Sequence, residues 1–182
     1  MIDQILNVVQ RRLGQHLRAV YTLEDTPLVL SPLVHADRTE VEETRCKLAL
    51  FLVNIAPQAM PHKVTGDALH APATLRAEPA PLQLELHVMV ACGHGADTYA
   101  GGLRMLSTAI IALHADTVLT PQNTPDLPAG VDQVSLEMIE LSATDLAQVW
   151  QSIGRPYAPS ALYRVRTQLV GPGYVAPAQT PI

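Results

Sequence analysis

The sequence predicts one α+β domain, a mostly antiparallel sheet with helices packed against it, and three observations predict it. The length of 182 residues suits a single core of ordinary size. Segments with apolar residues at spacings of three and four are interleaved with segments that alternate every second residue. The alternating segments carry polar side chains on one face, as antiparallel strands do, and no internal repeat or boundary divides the chain. The domain is expected over residues 1–170, followed by a Pro/Gly-rich tail over 171–182.

The elements follow in order. Ile2, Ile5, Leu6, Val9, Leu13 and Leu17 line one face of an opening helix. Leu28 to Val34 reads as a short strand interrupted by Pro32, hence an edge. Arg45 to Ile55 is a stronger strand, and its run Leu48-Ala49-Leu50-Phe51-Leu52-Val53 is apolar on both faces, which implies cover on both sides. Residues 56 to about 80 show no apolar periodicity and hold Pro57, Pro61, Pro72 and Pro79, with Pro81 just beyond; this is a long loop.

Leu82, Leu84, Leu86, Val88 and Val90 then alternate with Gln83, Glu85, His87 and Met89, a strand with one wetter face. Ala96 to Ala115 returns to helical spacing through Tyr99, Leu103, Leu106, Ile110 and Leu113, with Gly101-Gly102 as a weak point or a place of close packing. Thr117 to Gly130 holds Pro121, Pro125 and Pro128 and reads as a connection. Val131 to Leu141 alternates again. Ser142 can cap a last helix whose stripe is Leu146, Val149, Trp150 and Ile153, and Gly154 stands where a left-handed residue ends it. Ala161 to Val170 closes the sheet with Arg164 and Arg166 on a basic face.

Composition narrows the function. Aromatic residues are 4% and charged residues 16%, so the core is aliphatic. A formal charge of −5 and only two lysines, Lys47 and Lys63, give no basic field for phosphates, so no nucleic-acid partner is expected. No apolar run approaches the roughly 18 residues of a membrane span. Met1-Ile2-Asp3 does not begin a signal peptide; no membrane partner is expected, and a cytoplasmic protein is, until something larger carries it out. Cys46 and Cys92 sit in apolar runs and read as buried small hydrophobes without a disulfide.

Chemistry is sparse. Gly93-His94-Gly95-Ala96-Asp97-Thr98 imitates a dinucleotide fingerprint, with Asp116 some way on. However, a threonine replaces the third glycine and Asp97 opposes a pyrophosphate, so it reads as a strand-to-helix turn. Cys92 and His94 begin no metal site, because zinc needs three or four ligands and the seven histidines are dispersed. Glu40, Glu42 and Glu43 read as a solvated acidic turn. Trp150 reads as a core anchor, and Tyr157 is grouped with it as structural. No catalytic centre, cofactor or metal is expected, and the chain is not expected to be an enzyme.

One succession of residues is distinctive. Leu119-Thr120-Pro121, Asn123-Thr124-Pro125 and Leu127-Pro128 are followed by Leu141-Ser142, Asp145-Leu146 and Trp150. Gly154, Tyr157, Pro159-Ser160 and Tyr163-Arg164-Val165-Arg166 complete it. In this order and spacing they resemble the N-terminal domain of the terminator or cap proteins of phage-tail-like contractile injection systems. The opening helix and the strands at Leu48 to Asn54 and Leu82 to Val90 extend the similarity over most of residues 1–170, while the Ala- and His-bearing middle loop and the short tail depart from the pattern.

The resemblance implies a structural subunit that closes the end of the tail tube and sheath, as a six-fold homo-oligomeric ring, and so stops elongation. Its partners would be the tube and sheath proteins of the same particle. For the ring interface, the acidic Glu40, Glu42 and Glu43 segment and the basic Arg164 and Arg166 face are the candidate surfaces. Two other classes compete: a non-enzymatic adaptor or binding module, and a small hydrolase using the His62 to His94 region.

Overall fold

In the computed structural model, residues 1–22, 25–58 and 82–169 are described. The elements are α1 (Ile2–Tyr21), β1 (Leu28–Leu30), β2 (Leu48–Pro57), β3 (Leu82–Cys92), α2 (Tyr99–Ala115), β4 (Val118–Leu119), β5 (Val134–Ile139), α3 (Ala143–Ile153) and β6 (Ser160–Leu169). Short 3-10 turns at Glu42–Thr44 and Ala96–Thr98 lead into β2 and α2. The long loop and the tail expected from the sequence fall largely or wholly outside the described residues.

One six-stranded sheet runs in the order β1-β2-β3-β6-β5-β4. Every pairing is antiparallel except β1 with β2, which is parallel, so the sheet is mixed. The parallel pair arises because the chain crosses back through residues 31–47 before β2, whereas a tight hairpin would have reversed it. β1 stops before Pro32, shorter than the sequence suggests, because proline cannot donate to a ladder. β4, two residues long, is too short to show a period and escapes sequence analysis.

Each sheet face has its own core. On one, Leu48, Leu50, Leu86, Val88, Val90 and Val165 meet α1 and α2; on the other, Ala49, Phe51, Met89, Ala91 and Leu162 meet α3. The doubly apolar run of β2 is thus covered on both sides at its start, and it turns exposed after a bulge between Leu52 and Asn54. Burying such aliphatic side chains stabilises by roughly 1.5–3 kcal/mol each. α1 holds both margins of the sheet: Gln10 Nε2 donates to the Leu28 carbonyl of β1 at 2.8 Å, and Arg12 Nη1 donates to the Asn123 carbonyl beyond β4 at 2.9 Å.

α3 forms as its sequence dictates. Ser142 Oγ accepts from the Asp145 amide at 3.1 Å, and Gly154 closes the helix with φ of 81°. α2 departs from expectation. Its buried residues are Gly102, Leu106, Ala109 and Leu113, and Tyr99 and Leu103 of the expected stripe are exposed. The helix carries apolar residues on its outer side too, among the exposed Arg104, Ser107 and His114, so spacing alone does not tell its inner face from its outer. Gly102 settles the orientation, since a Cβ there would run into the Cys92 sulfur and the His94 ring; it is a place of close packing.

Candidate functional site

Two charged surfaces stand on this frame. The first occupies the half of the sheet that α3 leaves open. Strand alternation sends Glu85 and His87 of β3, Glu137 of β5, and Arg164 and Arg166 of β6 to that face. The register sets Arg166 opposite Glu85, and Arg164 between His87 and Glu137. Arg164 Nε donates to Glu85 Oε1 at 2.8 Å, and its Nη1 lies 3.4 Å from Glu137 Oε2. Arg166 closes the square, with Nη1 3.0 Å from Glu137 Oε2 and Nε 3.6 Å from Glu85 Oε2.

His87 Nε2 adds a contact of 3.0 Å to Glu85 Oε1. The bond to His87 and then the Arg164 guanidinium hold the Glu85 carboxyl below its usual range, against a partial burial that works the other way. The bond to Glu85 in turn raises Arg164. The basic face read from the sequence is therefore a paired ladder, each arginine shared between two carboxylates. The sequence shows all four residues, but only the register shows that they meet.

The second surface is the acidic segment before β2. Val41 is buried, and Thr44 is buried with its Oγ1 donating to the Val41 carbonyl at 2.7 Å, so the Glu42–Thr44 turn is anchored from within. Its carboxylates point outward. Glu40 meets Arg155 at 2.9 Å and Glu42 lies 3.4 Å from Arg45, while Glu43 makes no ion pair among the described residues. The structure does not bring these acids to Arg164 and Arg166, whose carboxylate partners are Glu85 and Glu137.

The turn after β3 carries no activated nucleophile. The Cys92 sulfur is 3.2 Å from His94 Nδ1, burial pushes the Cys92 thiol up, and burial pushes His94 down, so both groups favour their neutral forms. Cys46, expected to be buried, is exposed, because β2 begins only at Leu48 and Cys46 sits in the preceding turn with φ of 56°. Both cysteines are free. No three His, Cys, Asp or Glu side chains gather as a metal site among the described residues. His62 and His70 lie outside them. The β3 strand before the turn pairs antiparallel on both sides, which is not the parallel setting of a dinucleotide fold.

An apolar cavity of about 130 Å³ lies between α1, α2 and β5, floored by Val9, Leu13, Leu113, Leu119 and Leu136. It is smaller than the roughly 300–1,000 Å³ of usual small-molecule sites. No helix among the described residues is long and apolar enough to cross a membrane. A third surface escaped the sequence reading: the outward side of α2, with Tyr99, Leu103 and Ile111 exposed. The same side also carries the exposed Arg104, Ser107 and His114.

Comparison with solved structures shows a fold shared with a known protein. The sheath/tube terminator of PVC, an extracellular contractile injection system, solved by cryo-EM in its extended state, is similar with a TM-score of 0.55 at 14% identity, over 100% of this chain and 62% of that one. The tube-terminating cap of the anti-feeding prophage is matched with a TM-score of 0.49 at 17% identity, over 96% of this chain and 60% of that one. The chain thus spans about three fifths of the length of these proteins. No curated protein matches the sequence significantly. The family model of the Pvc16 N-terminal domain matches residues 4–182, all but the first three residues, and the chain belongs to that family.

Proposed function

We propose that the chain is a structural subunit that closes the end of the tube and sheath of a contractile, phage-tail-like injection particle and so terminates its elongation. The observation that carries this reading is the family match over residues 4–182. The shared fold with a sheath/tube terminator supports it. So does the architecture, whose ordered charge surfaces are built on rigid strands and whose cysteine and histidine at the β3 turn favour neutral forms.

In this reading the chain carries no catalysis and needs no cofactor. It works as a ring of six copies, assembled in the cytoplasm and retained in the particle. The acidic segment at Glu40, Glu42 and Glu43 is one contact surface of the ring. Arg164 and Arg166, its counterpart in the sequence reading, would take part by sharing or releasing Glu85 and Glu137. Electron microscopy of particles from cells expressing the chain with its tube and sheath proteins tests the proposal. Density for the chain at the tail end, and tails of uncontrolled length when it is deleted, are expected. Normal tail lengths without it would overturn the reading.

A further inference from the structure

Cys46 and Cys92, far apart in sequence, are brought to one place where β2 begins beside the end of β3. The Cys46 amide donates to the Gly93 carbonyl at 3.2 Å, and the Gly93 amide donates to the Lys47 carbonyl at 2.9 Å, so two residues of one strand face one of the other. This is the pattern of a β-bulge whose first residue turns left-handed, a place normally kept for glycine. Cys46 occupies it with φ of 56°, and its side chain is exposed. Glycine would suit that backbone better, so the turn itself gives no reason for a thiol there.

Both sulfurs approach the same end of α2. The Cys46 sulfur is 4.0 Å from Oγ1 of Thr98, the residue that caps this helix. The Cys92 sulfur lies against Gly102, four residues on, where an added Cβ would run into it. Residues four apart share a helix face, so the two sulfurs sit under one turn of α2. Cys46 is bonded to the residue that follows Cys92, and paired strands keep their backbones roughly 4.7–4.9 Å apart. A disulfide spans roughly 4.4–6.8 Å between Cα atoms, so bridging asks for a small shift of the Cys46 turn and no rearrangement of the sheet. The thiols also sense each other: burial raises Cys92 most, and a charge on Cys46 adds to that rise.

We propose that Cys46 and Cys92 are the site of a reversible disulfide, in which exposed Cys46 meets the oxidant, a small-molecule disulfide, and buried Cys92 resolves it. Cys46 gives its proton to water and attacks one sulfur of the oxidant, forming a mixed disulfide and releasing one thiolate, which water protonates. Cys92 then passes its proton to His94 Nδ1, 3.2 Å away, and attacks the Cys46 sulfur. The second thiolate leaves and takes up that proton. Two cysteine thiols are oxidised by two electrons, and one disulfide is reduced to two thiols. The new bond ties the acidic turn before β2 to the end of β3 and closes residues 46–92 into a loop, which restricts the unfolded chain. This pairing rests on the fold alone and takes nothing from the proposed function.

Incubation of the full chain with oxidised glutathione tests it, with thiols alkylated in denaturant and counted by mass spectrometry. The expected product is a monomer with no free thiol and no bound glutathione, which yields a linked Cys46–Cys92 peptide on digestion and melts higher than the reduced chain. Cys92→Ser should stop with one glutathione on Cys46, and Cys46→Ser should take up none, because Cys92 is 1% exposed. A parent chain that keeps glutathione on Cys46, that links Cys46 to a second copy, or that keeps both thiols free would overturn the proposal. Glutathione on Cys92 in the Cys46→Ser variant would overturn the assigned order of attack.

Discussion

Trp150 and Tyr157 meet edge to face, their ring centroids 5.8 Å apart and their planes at 72°. The pair joins α3 to the segment that leads into β6, but the two rings stand in different surroundings: Trp150 is 2% exposed against Leu33, Phe51 and Met89, whereas Tyr157 is mostly in water. Trp150 is thus a core anchor, and Tyr157 packs against its edge from the surface. Trp150→Ala should lower unfolding free energy by about 3–5 kcal/mol in urea titrations, as truncation of a buried aromatic does. Tyr157→Ala removes only the edge contact and should cost about 1 kcal/mol or less. A large loss for Tyr157→Ala would mean that its ring anchors the core.

Much of this fold is legible in the sequence because period and punctuation agree. Leu84, Leu86 and Val88 fall inside and Glu85 and His87 outside, as alternation requires. Ser142 and Gly154 mark the ends of α3. What stays hidden depends on pairing partners distant in sequence. Arg164 looks like half of a basic patch until the register sets it beside Glu85 and Glu137. The inner face of α2 is likewise settled by Gly102 against Cys92, a contact between elements that no spacing encodes.

Gly93 is where β3 and the acidic turn approach most closely. Its amide donates to the Lys47 carbonyl at 2.9 Å and its carbonyl accepts from the Cys46 amide at 3.2 Å. A Cβ there would run into the Thr44 carbonyl, a backbone atom that cannot swing aside, whereas Gly95 two residues on has open space around it. Gly93→Ala should therefore destabilise by about 1–3 kcal/mol, in the range of overpacked cores. Gly95→Ala should be close to neutral. Equal melting temperatures for the two variants would contradict the close approach.

Tyr163 carries a buried hydroxyl with no hydrogen-bond partner in its surroundings. Burial pushes its phenol up to about 12. A raised folded-state value means stability is fully present below the unfolded value of about 10 and is lost as pH climbs toward 12. Ultraviolet titration should show one tyrosine that ionises only as the chain unfolds. Tyr163→Phe removes the unpaired hydroxyl at constant ring volume, so it should hold or raise stability by about 1 kcal/mol and remove that late step. A loss of stability in Tyr163→Phe would show that the hydroxyl is paired in solution.

Glu85 is the hub of the open sheet face, in contact with His87, Arg164 and Arg166. Its carboxyl is held below the ordinary value of 4.5. For a depressed group, the stabilisation is present above the unfolded value and disappears as pH falls through the lower folded one. The window is therefore acidic, beginning below about 4.5. At neutral pH Glu85→Gln should cost about 1 kcal/mol, a discounted figure because the ladder borders solvent. The difference from the parent should shrink as pH drops through that window, since protonation turns the parent's carboxylate into the neutral group that the variant already has. Chemical denaturation of both proteins between about pH 7 and pH 3 measures this directly. A pH-independent gap would mean that Glu85 acts through packing alone; a gap that widens in acid would reverse the assigned sign and detach the ladder from the stability of the sheet.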